Sequence, residues 1–196
     1  PAHIVHHCCA VLVCAAGAVD HDDITRRIED RLGGLQTAVD TTRHSPVWTA
    51  GRHVIQRDLE QTHVVFGLPG LAATDDDRFA AMALSTLLGG GMSSRLFQEI
   101  REKRGLCYSI FSFASMLSDS GQFAVYAGTS AAQVDEMLGV VCAEINAVAA
   151  HVSAEEVARA KAQLRASLLM ARESVASCTD ALARQITLFG QPSDDA

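Results

Sequence analysis

Arg101 and Tyr108 stand seven residues apart with Gly105 between them. If Arg101 lies in the last turn of a helix, Gly105 reverses the chain and Tyr108 opens a strand, both side chains reach one surface. A guanidinium beside a phenol can donate hydrogen bonds to a carbonyl that becomes an oxyanion. The same spacing also fits a plainer arrangement, in which Arg101, Lys103 and Arg104 complement a helix C-terminus and Tyr108 is a half-buried strand aromatic. Just upstream, Gly89-Gly90-Gly91-Met92-Ser93-Ser94 precedes a helix and could offer backbone N–H groups to a ligand. It is no nucleotide loop, because the lysine of G-x-x-x-x-G-K-[ST] is missing and no strand leads into it. Gly89, Gly90 and Gly91 form either a flexible turn that touches a peptide or partner, or a tight helix–helix connection.

A second cluster, His3-Ile4-Val5-His6-His7 with Cys8, Cys9 and Cys14, approaches the inverted zinc-binding pattern H-x-x-E-H with histidine in place of glutamate. The mechanism of that motif argues against the match: its histidines need a helix to share a face, and its glutamate is the base for metal-bound water. Here the segment runs into a strand-like stretch and holds no carboxylate. These side chains could still hold a structural or adventitious metal, but the two-residue cysteine spacing and the second ligand pair of such sites are both absent, which favours no metal site. Asp75, Asp76 and Asp77 fit either a cation site or the positive end of a helix dipole. No histidine lies near a serine or cysteine on a glycine elbow, so a nucleophilic triad is not visible.

The elements that must position these groups read as follows. Cys9 to Ala16 is a strand that turns at Gly17 into a helix capped by Asp20, with Ile24, Ile28 and Leu32 on one face and a left-handed stop at Gly33-Gly34. Gln36 to Ala50 is a linker. Gly51 to Arg57 and Thr62 to Leu68 pair as a hairpin, and Thr74 caps a helix with Asp75 to Asp77 in its first turn and Phe79, Met82, Leu84 and Leu87 inside. A further helix runs from Ser93 or Ser94 to Gly105, with Glu99 paired to Lys103. Cys107 to Ser115 and Gly121 to Ala127 are strands joined at Ser118-Asp119-Ser120. Ser130 with Gln133 and Ser153 with Glu156 are capping boxes; the helix after Ser153 carries Val157, Ala160, Leu164, Leu168, Ala171 and Val175 toward a sheet. A last helix from Ser174 to Phe189 stops at Gly190. The sum is an α+β fold with a mixed, mostly antiparallel sheet and helices layered on one face.

With 196 residues, 48% of them apolar, the chain is long enough for one globular unit, read as a strand-helix tail plus linker over 1–45 and the main domain over 46–196. A net charge of −7 works against nucleic acid and anionic membranes as partners, and no apolar run reaches membrane-spanning length. Six cysteines in no disulfide-like spacing suggest reduced thiols and a cytoplasmic, reducing compartment.

The stretch Leu88-Gly89-Gly90-Gly91-Met92-Ser93-Ser94-Arg95-Leu96-Phe97-Gln98-Glu99-Ile100-Arg101-Glu102-Lys103-Arg104-Gly105-Leu106-Cys107-Tyr108-Ser109 resembles the pitrilysin/insulinase family of zinc peptidases in its mitochondrial-processing-peptidase-like branch. Ala15 to Asp22, Phe66-Gly67-Leu68-Pro69-Gly70 and Glu173-Ser174 extend the likeness over nearly the whole chain. Such enzymes close two similar α+β halves around an unfolded peptide, and the first half binds zinc. This chain resembles the second, metal-free half. The resemblance implies that Arg101 and Tyr108 bind substrate and stabilise the tetrahedral intermediate, that Gly89 to Gly91 contact peptide, and that zinc is bound by the absent half, with no metal ligand and no complete catalytic set here. It implies a fragment, inactive alone, whose partner is an N-terminal zinc-binding half or subunit. A non-catalytic family subunit that recruits substrate or serves as scaffold is the alternative. A sheet edge left open after Pro192 would accept Ala10 to Ala16 from the same chain or from a second copy, giving a homodimer.

Overall fold

The computed structural model describes residues 11–35 and 46–192. In chain order the elements are α1 (His21–Leu32), β1 (Thr62–Gly70), α2 (Arg78–Gly89), a π-helical turn (Phe97–Glu102), β2 (Ser109–Met116), β3 (Gly121–Thr129), a 3-10 turn (Ala131–Gln133), α3 (Val134–Ala150), α4 (Ala154–Arg172) and α5 (Val175–Phe189). By packing they divide into Ser45–Ser167 and, separately, the described parts of Pro1–His44 with Leu168–Ala196.

Ser45–Ser167 is an α+β unit. Alternation along β2 buries Ile110 and Ser112 and leaves Phe111 and Phe113 exposed, the period of a sheet covered on one face. The chain reverses where Leu117 N donates to Ser120 O at 2.8 Å. β3 then pairs with β2 on one side and β1 on the other, so Tyr126 faces both Phe111 and Val65. The order is β1-β3-β2, and among the described strands every pairing is antiparallel. Helices cover its inner face: Leu88, Leu96, Ile100, Met137 and Val141 pack in one cluster with Ile110, Val125 and Ala127. Each large side chain so buried contributes about 1.5–3 kcal/mol.

The contact between α2 and β2 is unusually close. A Cβ on Gly89 would lie 2.3 Å from Ser112 N, and the Ser112 hydroxyl donates to Ser85 O at 2.7 Å. At the far end of the hairpin, a Cβ on Gly121 would stand 1.9 Å from the carbonyl oxygen of Leu71. Both positions need glycine for lack of space.

In the other unit, Asp20 accepts a hydrogen bond from Asp23 N at 2.8 Å and starts α1 as its sequence suggests. Ser174 likewise accepts from Ser177 N to open α5, which ends at Gly190 with φ +77°.

Several expectations are corrected. Residues 11–16 form no strand; the sheet that would satisfy their backbone groups is not among the described pairings. Cys9 and Ala10 lie outside the described residues, so the edge-filling role of Ala10 to Ala16 finds no strand at 11–16. Gly51 to Arg57 has no regular structure, and Thr62–Gly70 pairs with β3 instead, a non-local partner that hairpin spacing cannot announce. Thr74 does not cap α2: its hydroxyl donates to Ser118 O at 3.1 Å, and Asp75 to Asp77 precede the helix. On α2 the inward residues are Ser85, Leu87, Leu88 and Gly89, so of the expected inner face Leu87 is buried while Met82 and Leu84 are exposed and Phe79, 64% exposed, stacks with Arg78. Gly33 is right-handed, at φ −59°. The Ser130 hydroxyl donates to the side chain of Gln133 and caps no backbone N–H. Of the α4 stripe only Ala160 is buried; Leu168 and Val175 are exposed. The linker residues 36–45 lie outside the described residues.

Because the space at Gly89 is closed by backbone, Gly89→Ala should destabilise the protein by about 1–3 kcal/mol. The check is a lower urea midpoint at unchanged m-value.

Candidate functional site

The segment from Gly89 to Tyr108 is anchored at both ends and in the middle. Gly89 fixes its start against β2, Leu96 and Ile100 are fully buried, and Tyr108 N donates to Gly128 O of β3 at 3.0 Å. Between these anchors the helix widens: Lys103 N reaches back five residues to Gln98 O at 3.0 Å, and Leu106 N reaches six, to Ile100 O, at 2.9 Å. Gly105, at φ +62°, makes the reversal that an L side chain would resist. Such π turns are rare and concentrate at functional sites.

This geometry brings Arg101 and Tyr108 together. The Arg101 guanidinium carbon lies 5.6 Å from the Tyr108 ring centre and 4.6 Å from that of Phe97. Tyr108 is 72% exposed, so its hydroxyl faces outward. The neighbouring cations are already engaged. Lys103 and Arg104 both bind the Glu99 carboxylate, Arg104 at 2.8 Å, and Arg104 also donates to Glu99 O at 2.9 Å. Their hydrogen bonds, that from Lys103 foremost, hold the Glu99 carboxyl below its ordinary range. The Arg101 guanidinium makes no ion pair or hydrogen bond among the described residues, and its N–H fork is open to a ligand. Helix-end complementarity therefore accounts for Lys103 and Arg104 but not for Arg101. Beneath Tyr108, burial pushes the Cys107 thiol up, against the opposing charge of Arg101.

The glycines of the preceding loop take part in packing and hydrogen bonding. Gly89 is buried against Ser112; Gly90 O accepts from the side chain of Gln163 in α4; Gly91 O accepts from Ser94 N at 3.0 Å and Ser94 Oγ at 2.6 Å. A feature the sequence reading missed secures this corner. Arg95 clasps Glu156 through Nε at 2.5 Å and Nη2 at 2.9 Å, and the same Nη2 donates to His151 O. Glu156 also closes the expected capping box, accepting from Ser153 N and Oγ at 2.9 Å each while its own N donates to Ser153 Oγ. The capping motif was visible in sequence; an arginine 61 residues away carries no local signal.

Asp75 Oδ1 accepts from Asp77 N at 2.9 Å in an ordinary turn. Among the described residues no group of His, Cys, Asp and Glu is placed to hold a metal ion. His3, His6, His7, Cys8 and Cys9 lie outside the described residues. Cys14, Cys107, Cys142 and Cys178 are free thiols.

Residues 10–164 match the family model described as the peptidase M16 inactive domain. A protein of Streptomyces coelicolor named as an uncharacterized zinc protease is 39% identical over 97% of this chain and 42% of its own length. The chain spans about two fifths of the length of the curated relatives it matches. Among solved structures, a protease from Helicobacter pylori matches with TM-score 0.71 and 21% identity, over 86% of this chain and 43% of that one. A chain of complex III2 from Candida albicans matches with TM-score 0.73 and 22% identity, over 90% of this chain and 44% of that one. These two show the same fold.

Hydrogen bonds from Arg95 foremost, then from Ser153 N, lower the Glu156 carboxyl from 4.5 to about 2. A carboxylate held below its unfolded value stabilises the fold above the unfolded value and loses that contribution as pH falls toward the folded one. Stability should therefore decline between about pH 4.5 and 2, and Glu156→Gln should flatten that decline while lowering stability at pH 7, as read by chemical denaturation across that range.

Proposed function

Because the chain belongs to the M16 peptidase family through its inactive domain, we propose that it is the metal-free half of a zinc endopeptidase, binding unfolded peptide and helping stabilise the tetrahedral intermediate. The observation that carries this reading is the Arg101–Tyr108 pair: a guanidinium on the wide helical turn, with no ion pair or hydrogen bond among the described residues, beside an exposed phenol tied to the central strand. Activation of the attacking water and the zinc itself belong, in this reading, to the half outside this chain. What these two residues do follows from charge. As water adds to the scissile carbonyl, its oxygen gains negative charge, and donors already aimed at that position bind the transition state more tightly than the ground state. Arg101 supplies a charge-assisted donor and Tyr108 a neutral one. The peptide, the zinc-bearing half or subunit and this chain are the assembled parts; on its own the chain is expected to be inactive.

The likeness to a chain of complex III2 favours a second reading, a non-catalytic subunit that serves assembly or recruits substrate. An open, outward Arg101–Tyr108 pair has no evident use in a scaffold, which is why the first reading is preferred.

In the full-length protein, Tyr108→Phe should lower kcat for an unfolded peptide by roughly ten- to a thousand-fold, the range for loss of an oxyanion donor. Steady-state kinetics check this, and unchanged kcat would remove Tyr108 from the reaction.

A further inference from the structure

An arginine at a helix end with no partner samples many rotamers, yet a donor that stabilises a developing charge has to be aimed before the reaction. The usual device is a neighbouring carboxylate. Here Glu99, two residues before Arg101, is taken by Lys103 and Arg104. A carboxylate on Arg101 would also neutralise the charge and occupy the N–H fork that a substrate carbonyl needs. An aromatic face avoids both losses: its quadrupole attracts the cation from below while the in-plane N–H groups stay free.

We propose that Phe97 is the positioning residue for Arg101, its ring the platform that holds the guanidinium toward Tyr108. The inference rests on the oxyanion role given to Arg101 above. Phe97 and Arg101 are four residues apart, on one face of the turn, with the guanidinium carbon 4.6 Å from the ring centre, inside the range for cation–π attraction. Phe97 is half-buried, and the turn that carries it is anchored on either side by the fully buried Leu96 and Ile100. Tyr108 closes over the guanidinium at the longer distance of 5.6 Å, so the weaker contact is with the residue that also addresses substrate.

The test is a double-mutant cycle in the full-length protein, followed by cleavage of an unfolded peptide. Phe97→Leu keeps an apolar side chain and removes the π face; Phe97→Tyr keeps the face. Expected is a fall in kcat of roughly three- to thirty-fold for Phe97→Leu, with KM within about twofold and most activity retained in Phe97→Tyr. In an Arg101→Ala background the same Phe97→Leu change should cost less than about twofold, because the group it positions is gone. Equal losses in both backgrounds, or Phe97→Tyr as poor as Phe97→Leu, would overturn the inference by making Phe97 a packing residue. If Arg101→Ala lowers kcat while Phe97→Leu does not, only the role of Phe97 falls. A kinetically silent Arg101→Ala removes the oxyanion reading and the positioning role together.

Discussion

The end of α2 meets β2 backbone to backbone, and much of the candidate site hangs from that contact. With 2.3 Å between a Cβ at residue 89 and Ser112 N, no side chain fits, and the small pair Ser85 and Ser112 completes the interface with one buried hydrogen bond. The chain leaving Gly89 is therefore delivered to a fixed point on the sheet. From there Leu96 and Ile100 drop into the core that Met137 and Val141 share, so the helical turn bearing Phe97 and Arg101 has little freedom to roll. Tyr108, tied to Gly128 on the central strand, is placed by the same sheet. Two side chains seven residues apart thus inherit their relative position from one sheet and the core beneath it rather than from a flexible loop, the condition that preorganised donors require.

Charge allocation completes the arrangement. Three cations crowd the end of the turn, and a single carboxylate, Glu99, takes two of them. The third, Arg101, is left with aromatic faces alone. At the other side of the segment the bidentate Arg95–Glu156 pair, merged with the Ser153 capping box, ties the start of α4 to the same corner. The result separates structural charges, which are paired, from one that is open to a ligand. The role proposed for Arg101 rests on that separation.

The parts legible in sequence were those with local causes. Asp20 and Ser153–Glu156 cap helices where their spacing says they should, Gly105 and Gly190 adopt left-handed conformations at chain reversals, and the β2–β3 hairpin follows from its alternation and polar turn. The Arg101–Tyr108 neighbourhood was likewise readable from a helix end, a glycine and a strand start. What failed depended on distant partners. β1 pairs with β3 across the α2 segment, which no spacing rule between adjacent strands detects. Thr74 prefers the carbonyl of Ser118, 44 residues on, to the helix it was expected to cap. Leu168 and Val175 repeat at helical spacing yet stay exposed, because periodicity says which residues share a face and not whether anything covers it. Phe97 was in plain view at four residues from Arg101, but its use as a platform shows only when Glu99 is seen to be occupied.

The most direct test of the central claim is a crystal structure of the full-length protein with an uncleaved peptide in place, measuring the distances from Tyr108 Oη and the Arg101 guanidinium nitrogens to the scissile carbonyl oxygen. The account predicts both within hydrogen-bonding reach, about 2.7–3.1 Å. A peptide bound for cleavage with neither residue in contact with that oxygen or its immediate neighbours would contradict it, and would leave the pair as a structural feature of a subunit that takes no part in the reaction.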